Sequence, residues 1–462
     1  MLLDVLVLAA GKGTRMCSAL PKVLHFLAGK PLLAHVINSV EALDSAAINV
    51  IVGHGKEQIQ QGFADQPLNW IEQSSQLGTA HAVLQATPAL RDDAKVLIVY
   101  GDVPLIKSGT LEKMLAGVDD NAMALLTVDL ADPTGYGRIL RNEADEVTGI
   151  VEQKDAAPEQ LKITEVNTGV MAMTAADLKT WLPKIDNNNA QQEYYLTDVI
   201  SLAREAGRRI NTYAPEAVEE VEGVNSRAQL VALERYYQQQ IAKQLLDSGV
   251  TVVDPSRFDC RGKLSTGQDV VIDINCIFEG TNQFGSGVNI GPNCVIKDAI
   301  IGDNVTIKAN TVIEGPVTLE ADVQVGPFAR LRPHTVLAVG AKVGNFVETK
   351  KAHIGPGSKI SHLSYIGDAE LGSEVNVGAG TITCNYDGVN KHLTEIDDGA
   401  FIGSNTSLVA PVAVGKNATV GAGSTISRDV PDESLAIARG KQRTLDTWKR
   451  PEKIKGRKLC VE

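Results

Sequence analysis

A chain of 462 residues is long enough for two or three domains with separate cores. Its formal net charge of −12 excludes nucleic acid and anionic membrane as main partners, so a phosphorylated ligand would need a local cationic cluster. Aromatic residues are only 4%, which suits a narrow interior, and the six cysteines (Cys17, Cys260, Cys276, Cys294, Cys384, Cys460) contain no CxxC pair, so reduced thiols are expected rather than disulfides or a metal site.

The apolar run 1–10 is too short for a signal peptide, and no stretch reaches membrane-spanning length, so the sequence predicts a cytoplasmic chain without membrane insertion. Residues 4–10 read as a strand that runs into Gly11-Lys-Gly-Thr-Arg15. Helix and strand patterns then alternate over 32–43, 48–52, 80–86 and 96–100, which predicts an α/β, Rossmann-like domain with a mainly parallel sheet. A Walker loop fails because Lys12 lies between the two glycines, and a dinucleotide fingerprint would need a third glycine where Met16 stands. Two readings stay open from the residues alone: amides at a strand-to-helix turn that bind phosphate, or a plain tight turn.

Lys12, Arg15 and Lys22 supply the cationic cluster that an acidic chain needs for phosphates. Tyr100-Gly101-Asp102 closes a strand, and a carboxylate there overlooks the crevice where open α/β sheets bind ligands. That oxygen suits magnesium held with substrate phosphates and water; a lone strand-end Asp is otherwise a helix cap. Further on, Leu230, Leu233, Tyr237, Ile241 and Leu245 recur at helical spacing between Ser226, a candidate N-cap, and Gly249. This predicts a long connector helix with one apolar stripe.

From Leu264 to Ile426 an aliphatic residue returns every six positions, as in Ile307, Ile313, Leu319, Val325, Leu331, Leu337 and Val343, with a small residue such as Val305, Val317, Ala329 or Ala341 two positions earlier. Six residues with one large and one small inward side chain make one face of a prism, and three faces close a coil. Roughly nine coils fit. The period slips to five at 296–301, 349–354 and 366–371, and residues 384–395 must loop out. Chirality rules favour right-handed crossovers, so periodicity alone does not give the handedness.

Polar residues cluster on the prism at Arg330-Leu-Arg332, Glu348-Thr-Lys350-Lys351, His362-Leu-Ser-Tyr365, Asn376 and Cys384-Asn385-Tyr386. Arg332, Lys350 and Lys391 can neutralise a sugar phosphate. An imidazole, with an ordinary pKa of about 6.5, can take a proton from an amine near neutral pH, which makes His362 a candidate base.

The string Leu8-Ala9-Ala10-Gly11-Lys-Gly-Thr-Arg15 with Pro21-Lys22 resembles the signature of sugar-phosphate nucleotidyltransferases. Gln73, Gly78-Thr79, Gly135-Tyr-Gly137-Arg138, Glu152, Asn167-Thr-Gly169 and Glu222-Gly-Val-Asn225 are similar, in that order, to the uridylyltransferases that make UDP-N-acetylglucosamine. The prism cluster, with Gly378-Ala379-Gly-Thr-Ile-Thr-Cys-Asn385-Tyr386-Asp387, resembles the acetyltransferase half of the bacterial bifunctional N-acetylglucosamine-1-phosphate uridyltransferase/glucosamine-1-phosphate N-acetyltransferase family. The resemblance implies a left-handed β-helix and a homotrimer. It implies that the loop wraps UTP, with Arg15 and Lys22 catalytic, and that Gln73, Gly78 and Thr79 recognise uracil. Gly137, Glu152 and Asn167 would hold N-acetylglucosamine 1-phosphate, and Asp102 with Asn225 would hold Mg2+.

On the prism, His362 would be the base for glucosamine 1-phosphate, with Arg332, Lys350 and Lys391 on its phosphate and Tyr365, Asn376 and Asn385 on its sugar. Ala379, Asn385, Tyr386, Ser404, Ala422 and Arg439 would meet acetyl-CoA. A covalent step at Cys384 is disfavoured, since a thiol nucleophile would want its own base. The expected division is 1–225 for the uridylyltransferase domain, 226–249 for a linker helix, 250–440 for the β-helix and 441–462 for a basic, disordered tail. A second reading keeps only the nucleotidyltransferase active and makes the prism structural or regulatory.

Overall fold

The computed structural model describes residues 2–44 and 47–451, and the chain divides into two compact units, Met1–Asn282 and Gln283–Glu462. Cys460 and the tail residues Lys453, Lys455, Arg457 and Lys458 lie outside the described residues. Residues 441–451 are exposed and form no helix or strand.

The first unit centres on a sheet of β1 (Leu2–Ala9), β2 (Ala47–Val52), β3 (Asn69–Glu72), β4 (Ala94–Tyr100), β5 (Ala122–Asp129), β6 (Arg138–Arg141), β7 (Val147–Val151), β8 (Glu165–Thr174) and β9 (Arg209–Tyr213). Its order is β9-β5-β8-β4-β1-β2-β3, with β6 on β8 and β7 on β6. Along the main path only β8 is reversed, antiparallel to both β4 and β5, so the mainly parallel expectation holds with one exception. The alternation of β1 explains its two buried faces: Val5, Val7 and Ala9 join one core and Leu6 the other.

Helices α1 (Leu32–Glu41), α2 (Lys56–Gly62) and α4 (Ser108–Ala116) cover the first face through Val36, Ile37, Ile59 and Leu111. Helices α3 (Thr79–Ala86), α5 (Ala175–Trp181) and α6 (Val199–Glu205) cover the second through Val83, Leu178 and Ile200. Each fully buried aliphatic side chain contributes about 1.5–3 kcal/mol, enough to hold short helices that would not persist alone. Strand order reverses between β1 and β4, the place where such sheets open a crevice at their carboxyl ends.

Helix α7 (Arg227–Asp247) begins at the expected cap, with Ser226 Oγ accepting from Gln229 N at 3.3 Å. Its buried face keeps the predicted stripe at Leu233 and Leu245, with Leu230 and Tyr237 packed beside it, and adds Gln238 and Ala242. Leu233 packs against Met16, Leu27 and Leu32, but the next turn buries Gln238, whose amide exchanges two hydrogen bonds with the backbone of Cys260 (2.9 and 2.7 Å). A fully hydrogen-bonded amide is tolerated inside beside an apolar stripe. Among the described residues no helix is long and apolar enough to cross a membrane.

The second unit is a stack of short parallel strands. Ile290, Ile307, Val325, Val343, Ile360, Val377, Ile402 and Val420 lie opposite one another in successive coils, all buried. The six-residue, parallel stack matches a left-handed hexapeptide β-helix. Corners turn through left-handed backbone, which Asn310 (φ 59°) and Asn405 (φ 57°) adopt at low cost. Three neighbouring corners instead carry Phe328, Phe346 and Leu363, at φ 55°, 55° and 49°, with both Phe rings stacked at 5.3 Å. The interruption expected near 384–395 lies between the strands Ile382–Cys384 and Thr394–Ile396.

Candidate functional site

In the first unit, polar groups collect where the sheet order reverses. Leu8, Ala9, Ala10 and Gly11 line a cleft of about 530 Å³ with Arg15, Lys22, Gln73, Gly78, Thr79, Tyr100, Asp102 and Asn225. The strand-to-helix turn expected after the loop is a correction: the chain makes a single 3-10 turn, Thr14–Met16, too short for an aligned stack of peptide dipoles. An anion would therefore meet loop amides and cationic side chains. Lys12 is exposed and is not among the lining residues. Gly13 sits at φ 59°, and a Cβ there would stand 2.7 Å from Lys22 Cβ, so glycine lets the loop pack on the stem of that lysine.

Lys22 Nζ donates to Asp102 Oδ2 and, at 3.0 Å, to Asn225 Oδ1. The end of β4 places Asp102, and the residue before the cap of α7 places Asn225, whose amide N donates to Gln229 Oε1 at 2.9 Å. Gln73 is buried and fixed, donating through Nε2 to the carbonyl of Gly78 at 3.1 Å. Thr79 Oγ1 accepts from Leu196 N at 3.0 Å. Burial and the Asp102 charge push the Tyr100 phenol up, so it stays protonated.

Four predicted residues lie beside the cleft lining. Gly101 N donates to Leu8 O at 2.9 Å, tying the two strand ends together. Gly137, Glu152 and Asn167 meet on the antiparallel edge of β6, β7 and β8: Asn167 N donates to Gly137 O at 2.9 Å, and a Cβ on Gly137 would stand 3.3 Å from Glu152 Oε1. Burial raises the Glu152 carboxyl pKa, opposed by the bond from Thr197 Oγ1 (3.2 Å) and supported by Asp155 and Asp198. Tyr136, from the motif at 135–138, lines the cleft too, while Gln76, Glu193 and Gln229 line it and were missed. Gln229 carried a signal, since Ser226-x-x-Gln229 is a capping-box pattern that brings it back to Asn225.

In the second unit, His362 ends the strand Lys359–His362 and is exposed. Its Nδ1 lies 2.6 Å from Oδ1 of Asn345, the residue opposite it in the preceding coil. An amide oxygen only accepts, so Nδ1 is the donor in this contact, and in the neutral ring the lone pair then sits on Nε2. Sequence reasoning missed Asn345 because a polar residue near a coil corner reads as a turn. Arg332 donates to Glu348 at 2.8 Å, and Glu348 lies opposite Tyr365 one coil on. Lys350 lies opposite Gly367 in the same pair of strands, and Asn376 lies opposite Lys359.

The ejected loop is folded on itself. Tyr386 and Lys391 form an antiparallel bridge, and Lys391 Nζ lies 4.2 Å from the Tyr386 ring centroid. Asp387 accepts from His392 Nε2 at 2.7 Å, and that bond with the amides of Asn390 and Val389 holds its carboxyl well below the usual range. Asn385 is buried, donating to Asp368, and Cys384 is a half-buried free thiol. Ala379, Ser404 and Ala422 recur on successive coils, linked by Asn405 N to Ala379 O (2.7 Å) and Gly423 N to Ser404 O (2.8 Å). Arg439 donates to the carbonyl of Ala422.

The family profile for MobA-like NTP transferase domains matches residues 5–160, and that for bacterial transferase hexapeptides (six repeats) matches 283–315 and 394–428. Bifunctional protein GlmU of Marinobacter nauticus is 57% identical over 451 residues, 98% of this chain and 99% of that protein. The same-named proteins of Cellvibrio japonicus and Idiomarina loihiensis are 59% and 58% identical, over 97% and 99% of this chain and 99% and 100% of their own lengths.

Proposed function

This chain belongs to the bifunctional GlmU family, and from that premise we propose that its two clusters run two transfers in sequence on separate sites. It is a bifunctional transferase of UDP-N-acetylglucosamine synthesis: acetyl passes from acetyl-CoA to glucosamine 1-phosphate, then uridylyl passes from UTP to N-acetylglucosamine 1-phosphate.

The hydrogen bond between Asn345 and His362 carries the acetyl step, because it leaves Nε2 as the proton acceptor. His362 takes a proton from the 2-amino group, whose nitrogen attacks the thioester carbon. A C–N bond forms, the C–S bond breaks, and His362 returns the proton to the departing CoA sulfur. Arg332, fixed by Glu348, joins Lys350 and Lys391 on the sugar phosphate. Tyr365, Asn376 and Asn385 orient the sugar, while Ala379, Asn385, Tyr386, Ser404, Ala422 and Arg439 meet acetyl-CoA. Cys384 takes no part, since the amine is a competent nucleophile once neutral.

In the cleft, a phosphate oxygen of the sugar attacks the α-phosphorus of UTP and the bond to pyrophosphate breaks. Gln73, Gly78 and Thr79 read the uracil; Gly137, Glu152 and Asn167 hold the sugar. Leu8 to Gly11 and Tyr100 shape the walls, and Gly101 ties the strand ends behind them. Arg15 and Lys22 neutralise the triphosphate, so the chain supplies position and charge rather than a covalent intermediate.

Asp102 and Asn225 would hold Mg2+, a reading supported by the way their oxygens converge on one cation, the Lys22 ammonium. Among the described residues no three His, Cys, Asp or Glu side chains cluster for a metal, so phosphate and water oxygens would complete its shell. When bound, the ion would offset charge on the phosphates.

A homotrimer completes the acetyl site in this reading. Phe328, Phe346 and Leu363, which directly follows His362, are 50%, 55% and 60% exposed, an apolar row suited to cover by another copy. Sedimentation giving a monomer at assay concentration would count against it. The cytoplasm is the expected location.

The test supplies glucosamine 1-phosphate, acetyl-CoA, UTP and magnesium to the purified chain and follows free thiol and pyrophosphate separately. Both should appear. Pyrophosphate formed only when N-acetylglucosamine 1-phosphate is supplied ready-made would reduce the prism to a scaffold.

A further inference from the structure

The two oxygens assigned to the metal are already occupied by a cation of the chain itself. Lys22 Nζ bonds Asp102 Oδ2 and Asn225 Oδ1, and the lysine and aspartate side chains are only 13% and 15% exposed. Solvent therefore screens this contact far less than a surface pair. We propose that Lys22 is an internal counter-ion that keeps the metal seat filled until a polyphosphate arrives, so that the cleft accepts a divalent cation together with nucleotide phosphates and resists the bare ion. The inference rests on the reading of Asp102 and Asn225 as metal ligands.

The argument is one of charge and reach. An ammonium and a divalent cation cannot share one carboxylate and one amide oxygen at contact distance without strong repulsion in a shielded site. A metal must therefore displace the ammonium, which then needs another anion nearby. Lys22 lines the same cleft as the Gly11 loop and Arg15, where phosphates would lie, so a polyphosphate can receive its head group. Its stem is fixed: Lys22 opens a 3-10 turn after Pro21, and Gly13 packs close to its Cβ. Only the flexible end of the side chain has to swing. Because the ammonium leaves one anion for the other, metal and polyphosphate each favour the other's binding, and this coupling must be reciprocal.

The probe is Mn2+ alone, titrated into the full chain without nucleotide and followed by electron paramagnetic resonance. Lys22→Met should bind Mn2+ at least about tenfold more tightly than the wild type, within the usual range of coupling between ligands. Lys22→Arg, which keeps the charge, should stay weak. Adding Asp102→Ala to Lys22→Met should abolish the gain, locating it at this seat. Should Lys22→Met not fold, Lys22→Gln serves the same purpose.

Tightening absent in the uncharged variant would overturn the proposal. A separate arm tests the underlying reading. With a non-hydrolysable UTP analogue present, the wild type should bind Mn2+ and Asp102→Ala should not. Equal binding by both would mean that Asp102 is not a ligand, whatever Lys22 does. A thermal-shift series adds a structural readout: Mn2+ should raise the melting temperature of Lys22→Met more than that of the wild type, because the variant's Asp102 lacks its resident cation.

Discussion

The cleft at the ends of β1 and β4 and the ladder around His362 both gather cationic side chains, but they hold them differently. In the cleft, Lys22 and Asp102 are shielded and paired. On the ladder, Arg332 and Glu348 are 29% and 34% exposed, His362 is open, and Lys391 rides on a loop. A twisted sheet with helices on both faces makes a concavity from one chain, deep enough to shield the Lys22–Asp102 pair while Arg15 in the same cleft stays exposed. A stack of flat coils presents convex walls, so its charges can stand nearly free, and exclusion of water has to come from a second surface.

Variants can break this comparison. His362→Ala should lower acetyl transfer by about 10²–10⁴-fold and leave pyrophosphate release from supplied N-acetylglucosamine 1-phosphate unchanged. A parallel loss of both activities in the separate assays would mean that the sites are not independent. Leu331→Ala, in the buried column between Arg330 and Arg332, should cost about 2–5 kcal/mol. Acetyl transfer should then fail at a lower temperature than uridylyl transfer in a heat-challenge series, and simultaneous failure would show that the two units melt together.

Asn345→Leu removes only the orienting bond. By analogy with other hydrogen-bonded supports of histidine, acetyl kcat should fall by about 10–100-fold with KM little changed. A rise in KM alone would place Asn345 in sugar binding instead. The smallest effect concerns Glu152. Its folded pKa is raised, so the stability it gives is complete below the unfolded carboxyl pKa and is lost as pH rises through the folded value. Glu152→Gln should flatten that part of the stability curve measured by denaturant titration from acid toward neutral pH, and an unchanged slope would show that the buried carboxyl is not its source.

The six-residue period was legible because each flat face admits one large inward side chain, and Ile307, Val325 and Val343 had nowhere else to point. The strands that lead to Arg15 and Asp102 were legible for a similar reason, as a strand at a sheet centre is a dense apolar run, whereas the role of the loop came from the resemblance, since the residues alone left a plain turn open. What stayed hidden depended on neighbours distant in sequence. The direction of β8 is set by which strands it joins, not by its own residues. The burial of Gln238 beside the apolar stripe depends on the backbone of Cys260, which supplies both of its partners. Phe328, Phe346 and Leu363 fill corners where sequence rules expect Asn or Gly, so the corner positions could not be counted off from composition.

The bond from Asn345 to His362 spans 17 residues, one turn of the coil. The length of that turn is therefore a setting of the chemistry as much as of the scaffold. Adding one residue between them could be absorbed as a bulge, leaving the stack folded, yet it would rotate the imidazole away from its amide and return the proton to either nitrogen. In the proposed reading the coil therefore tunes the tautomer of His362 through spacing alone, with no substitution at the imidazole itself.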